Sequence, residues 1–123
     1  MRYKLHINRL NAVRPGVYKG VIKREGTMNE EDVLKYMAAN HRLPLGESQA
    51  EAFLRDYSAT ILELLLKGYH VNTLLVNCLV SMEGNFEGPK DRFDKRRHTL
   101  KIRLKPGRLL RRAEKDMPTP KKY

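Results

Sequence analysis

Near the end of this chain three cations alternate with three apolar residues: Lys101, Arg103 and Lys105 between Leu100, Ile102 and Leu104. In an extended strand, side chains two residues apart share a face and stand roughly 7 Å apart. That repeat is comparable with successive phosphates along one nucleic-acid strand, and each cation placed on a phosphate releases a condensed counterion. Lys95, Arg96, Arg97 and His98 lead into the stripe. Arg108, Arg111 and Arg112 follow it at the three- and four-residue spacing of one helical side. The chemistry available to such a set is neutralisation of a polyanion. Bond-making chemistry has no comparable constellation. His6, His41, His70 and His98 fall in unrelated segments, and there is no HExxH, CxxC or glycine-rich phosphate loop. The carboxylates Glu30, Glu31 and Asp32 are explained by a helix start. The expectation is a protein that is not an enzyme, with no metal, cofactor or small-molecule substrate.

The charge is segregated along the chain. Residues 89–123 carry a net +10 and residues 1–24 a net +7 with no acid, whereas residues 25–88 carry −6. Two basic ends flank an acidic, apolar middle, an arrangement suited to a nucleic acid. The single cysteine, Cys78, excludes an intrachain disulfide and lies in an apolar run, so it is expected as a small core residue in a reducing compartment. No run approaches a membrane span and the N-terminus lacks a signal-peptide pattern, so a cytoplasmic setting is expected.

The elements that position the cations follow from periodicity. Residues 2–10 and 17–23 alternate and are joined through Arg14-Pro15-Gly16, which predicts an N-terminal β-hairpin. Thr27-Met28-Asn29-Glu30 and Ser48-Gln49-Ala50-Glu51 fit capping boxes for two helices broken by Pro44 and Gly46. The second helix carries a broad apolar face of Phe53, Leu54, Tyr57, Ile61, Leu64 and Leu65 and stops at Gly68. Residues 69–82 predict one largely buried strand, residues 84–96 a charged turn region, and residues 97–105 a strand with one apolar and one basic face. A short basic helix over 107–115 and a disordered tail, 117–123, complete the chain.

This order of elements resembles the HU and integration-host-factor family of bacterial DNA-bending proteins. Leu104-Lys105-Pro106-Gly107-Arg108 is similar to that family's segment after its arm, Thr27 to Val33 to its first helix start, and Gly68 to Gly84 to its first strand. The resemblance covers roughly residues 27–115. The extra hairpin, with Val71-Asn72-Thr73, Phe86-Glu87-Gly88-Pro89, Phe93-Asp94 and Arg97-His98, is closer to divergent Bacteroidetes-type members. The resemblance implies an α+β, IHF-like fold with a hairpin extension at 1–26, a DNA-binding domain at 27–116 and a tail at 117–123.

It further implies an intertwined homodimer with Phe53, Leu54, Tyr57, Ile61, Leu64 and Leu65 in its core. Double-stranded DNA would be held without sequence preference, in the bacterial nucleoid. The phosphate-contact candidates are Lys95, Arg96, Arg97, Lys101, Arg103, Lys105, Arg108 and Arg111, with Lys19, Lys23 and Arg24 as further candidates of unknown position. Two features depart from the family. The Arg-Asn-Pro of its long arm is missing, and Leu75-Val76-Asn77-Cys78 stands where it has a Gly-Phe-Gly. Pro89, Lys90 and Arg92 mark the only place for an arm tip, and Pro89 reads better as a turn proline than as a wedge between base steps. Phosphate binding is thus implied without strong bending. A dimeric interaction module with reduced DNA binding, and a small basic RNA-binding protein, are the alternatives.

Overall fold

The computed structural model describes residues 1–7 and 16–123. The hairpin forms, with β1 (Arg2–Ile7) antiparallel to β2 (Tyr18–Ile22) and Tyr3 opposite Ile22. The end of the expected first strand at 8–10 and the Arg14-Pro15 part of the turn lie outside the described residues.

Both helices start at different residues from those expected. Helix α1 spans Glu30–Ala39 and is capped by Asn29, whose backbone N–H donates to the Asp32 carboxylate at 3.0 Å. Asn29 and Asp32 have the same three-residue spacing as Thr27 and Glu30, and Asn caps at least as well as Thr, so Thr27 stays in the extended connector. Helix α2 spans Glu47–Leu66 with Gly46 as its N-cap, so Ser48 lies inside the first turn. The two helices pack as a helical hairpin, and beyond the Lys67 C-cap the chain turns toward the sheet at Gly68, φ 93°.

The expected strand over 69–82 is two strands. Strand β3 (Val71–Asn72) pairs antiparallel with β4 (Val76–Glu83), Val71 opposite Cys78. Thr73 makes the reversal: its hydroxyl donates to the Val76 carbonyl at 2.6 Å and accepts from the Val76 N–H at 3.0 Å. A threonine hydroxyl here replaces ladder hydrogen bonds that a continuous strand would need. Strand β5 (Thr99–Pro106) pairs with β4 along its whole length, from Glu83 opposite Thr99 to Val76 opposite Pro106.

Helix α3 (Arg108–Lys115) follows Gly107 directly. Gly107 donates to the Leu75 carbonyl at 2.6 Å, and a Cβ on it would lie 2.7 Å from the Leu75 carbonyl carbon. The Lys105-Pro106-Gly107 corner therefore needs glycine for close backbone approach.

The tail, expected to be disordered, ends in a short strand. Strand β6 (Lys121–Lys122) runs parallel to β1, with Lys121 N–H donating to the Met1 carbonyl at 3.0 Å. A free edge of β1 offers unpaired backbone groups, and the C-terminus satisfies them.

Few apolar residues are buried. Among the described residues the apolar core comprises Leu34, Ala50 and Leu65. The chain exposes 11179 Å², whereas a compact monomer of this length would expose roughly 7,000 Å². Much of the excess is apolar. Phe53 and Tyr57 stack on each other at 5.9 Å and are exposed. Leu54, Ile61 and Leu64 are half-buried. Leu100, Ile102 and Leu104 are exposed on one face of β5, beside Met82.

Candidate nucleic-acid interface

The register of β4 and β5 decides which side chains share a face. Lys101 stands opposite Ser81, Arg103 opposite Leu79 and Lys105 opposite Asn77. Cross-strand partners project to the same side, so the three cations occupy one face and Leu100, Ile102 and Leu104 the other. Asn77, the partner of Lys105, also lines a groove with Tyr57, Asn72, Thr73, Arg108 and Arg111. The basic face of β5 therefore runs on into the first turns of α3. Lys101, Arg103 and Lys105 share one face of β5, and Arg108 and Arg111 line the groove that Asn77, the partner of Lys105, also lines. Arg112 sits on α3 beside Arg108, Arg111 and Lys115.

Glu83 restrains the strip. Its carboxylate pairs with Lys101 at 3.1 Å and with Arg103, whose Nε also donates to Ser81 Oγ at 2.7 Å. The hydrogen bond and charge of Lys101, then those of Arg103, hold the Glu83 carboxyl below its ordinary pKa. A phosphate must compete with Glu83 for both cations. Glu83→Gln is accordingly expected to tighten duplex binding by about two- to fivefold at low salt and to steepen its salt dependence. Anisotropy titrations of both proteins check this, and weaker binding would show that Glu83 serves to align the cations.

Arg97 and His98 do not extend the stripe. The strand begins at Thr99, and residues 84–98 close on themselves. Arg97 forms a two-pronged pair with Asp91, at 2.9 and 2.8 Å, and reaches Asp94 at 3.3 Å. Arg97 first, then the backbone N–H of Glu87 and of Arg92, hold the Asp91 carboxyl far below the usual carboxylate range. The Asp94 carboxyl is also lowered, by the Arg96 N–H and then by Arg97.

His98 is 2% exposed and is the most buried side chain described. Its Nδ1 accepts from the Asp94 N–H at 2.9 Å, which leaves Nε2 to donate to the Asn85 carbonyl at 2.8 Å. Phe86 stacks on the imidazole at 3.9 Å and Phe93 lies 5.8 Å away. Gly84, at φ 112°, admits the ring, since a Cβ there would lie 2.8 Å from it. Pro89 is the second residue of a turn closed by Asp91 N–H to Gly88 carbonyl at 3.1 Å. Pro89, Lys90 and Arg92 thus sit on a folded cap, as do Lys95 and Arg96. Lys19 and Lys23 belong to the N-terminal sheet, away from this strip in the fold's topology.

The ion-paired cap was not foreseeable from charge counts. The one signal was the Asp91, Asp94 and Arg97 spacing within a turn-rich stretch. Among the described residues no group of His, Cys, Asp or Glu could hold a metal ion, and no helix is long and apolar enough to cross a membrane.

No curated protein matches the chain in sequence. The chain superposes on a candidate bacterial DNA-binding protein from Bacteroides vulgatus with a TM-score of 0.73 and 18% identity. The match covers 99% of this chain and 47% of that one, so this chain spans about half the length of its structural relative. At that identity the likeness concerns the mixed α+β fold. The model of the HU-DNA_bdg family, described as a DNA-binding domain, matches residues 1–122, and the chain belongs to that family.

Proposed function

We propose that the protein is a homodimeric, HU-like DNA-binding protein that grips the phosphate backbone with little sequence preference. The observation that carries this reading is the row of Lys101, Arg103 and Lys105 on one face of β5, with Arg108 and Arg111 on the groove beside it, on a chain of a DNA-binding domain family. The strip is made of long, exposed side chains on a sheet face. Apart from Arg108 and Arg111 on α3 it is a sheet surface, and backbone contacts carry affinity without reading sequence. Its setting is the nucleoid of a bacterial cytoplasm.

Homodimerisation is supported by the exposed apolar faces. A second copy is the occupant that fits, because the excess accessible area of each chain, roughly 4,000 Å², more than suffices for one side of an obligate interface that buries ~2,000–5,000 Å² over both partners. Both the α2 face and the β5 face are unpartnered in one chain, and an intertwined pair would cover each with the other's elements.

The folded cap argues against wedging. Pro89 is committed to a turn and the 84–98 segment is held by ion pairs and His98, so the protein binds DNA without the arm intercalation that the resemblance to the HU and integration-host-factor family would imply. The RNA-binding alternative has little aromatic support, because Phe86 and Phe93 lie on the cap against His98 and not on the cationic face of β5.

The test is fluorescence anisotropy of a mixed-sequence duplex over a salt series, on protein of measured solution mass. A dimer whose log affinity falls linearly with log salt, with a slope of about −0.9 per phosphate contacted, is expected. A dimer that ignores DNA at low salt would overturn the reading.

A further inference from the structure

The chain builds a second cationic face, far from β5 in topology, out of both of its ends. In the sheet ordered β2-β1-β6, Lys4 stands opposite Val21, His6 opposite Lys19, and Arg2 beside Lys121. Lys23 donates its N–H to the Arg2 carbonyl at 2.8 Å, which continues the same register. Arg2, Lys4, Lys19, Lys23 and Lys121 therefore project from one side. Tyr3, Leu5, Ile7, Tyr18 and Ile22 lie on the other side.

This face contains no acid of its own strands, since residues 1–24 and 117–123 have none. Glu25, just beyond, pairs with Arg2 at 3.2 Å. Two further contacts hold the cations in place. The Tyr123 ring lies under Arg2 at 5.5 Å and under Lys23 at 5.0 Å, a geometry that favours the charged groups without neutralising them. Strand β6 is itself held by Tyr123 N–H donating to the Tyr3 carbonyl at 3.2 Å. The C-terminus thus adds a lysine and a cation-binding ring to a face that the N-terminus began.

The sheet joins the rest of the fold through two connectors outside helix and strand, residues 23–29 and 117–120, the second carrying Pro118 and Pro120. The shorter of the two, four residues, can span at most roughly 14 Å, so the sheet stands off from α3 on a short tether.

We propose that this terminal sheet is a second site for the phosphate backbone of DNA, so that the protein holds two duplex segments at once. The partner is a polyanion by charge complementarity, and the sheet's spacings, roughly 7 Å along a strand and 4.8 Å between strands, suit a row of phosphates. The inference rests on the strip of β5 and α3 as the first DNA site.

The test is capture of a fluorescent duplex by the full-length protein already bound to a bead-immobilised duplex, with single-duplex affinity measured in parallel. The unmodified protein is expected to retain the second duplex. Lys4→Glu with Lys19→Glu and Lys121→Glu should cut retention at least tenfold while single-duplex affinity stays within about threefold. The glutamine triple variant, which keeps strand pairing and adds no repulsion, should lie between. The inference is overturned if the unmodified protein captures no second duplex, or if the glutamate variant captures it undiminished. It is also overturned if the variant loses single-duplex affinity in step, because the face would then belong to the first site. Failure of the unmodified protein to bind even one duplex would sink the first site as well, which separates the two failures.

Discussion

Charge reversal at Lys101→Glu, Arg103→Glu and Lys105→Glu together is expected to weaken duplex binding by at least about a thousandfold near 0.1 M salt, because each lost phosphate contact forfeits about tenfold in counterion release and each chain loses three. The slope of log affinity against log salt should flatten by about three per chain. All three side chains are exposed and sit on the face opposite Leu100, Ile102 and Leu104, so the fold should survive. An unchanged melting midpoint and solution mass would verify that. Reversing Lys95 and Arg96 on the folded cap is the comparison, and their smaller effect locates the strip. If the triple variant binds within about threefold of the unmodified protein, the strip is not the DNA site. The terminal sheet would then be the first candidate to carry binding.

The strip was legible in the sequence because alternation is a local signal. Lys101, Arg103 and Lys105 share a face in any extended conformation. The restraint by Glu83 was not legible, since it depends on register: only when Glu83 pairs with Thr99 does its carboxylate come beside Lys101 and Arg103. The helices were legible from their apolar spacing, and their starts were displaced because Asn29 and Gly46 compete with Thr27 and Ser48 as caps. Leu74 and Leu75 hid the break between β3 and β4, since an apolar run looks continuous until the Thr73 hydroxyl is seen to close the turn. Strand β6 was illegible for a different reason. Lys121 and Lys122 have no strand signal of their own and are ordered by the backbone of β1, at the opposite end of the chain. Arg97 was grouped with the phosphate contacts on charge alone, and its pairing with Asp91 makes it a clamp for the cap.

Ile102→Asp is expected to abolish the dimer, with the dimerisation constant falling by about 10⁴-fold or more. In one chain Ile102 is half exposed, between the exposed Leu100 and Leu104. Burying an apolar side chain of that size contributes about 1.5–3 kcal/mol, and taking an unpaired carboxylate out of water costs several kcal/mol. A two-fold interface meets each substitution twice. The lone chain has little to fall back on, since Leu34, Ala50 and Leu65 make up the fully buried apolar set among the described residues. The variant should therefore lose folded structure as it loses mass, and DNA binding with both. Because loss of folding alone would not prove an interface, the unmodified protein supplies the second measurement. If folding and association are one step, its melting midpoint rises by a few degrees for each tenfold increase in protein concentration. A concentration-independent midpoint, together with an Ile102→Asp variant of unchanged mass, would mean that the apolar face of β5 is covered by something other than a second copy.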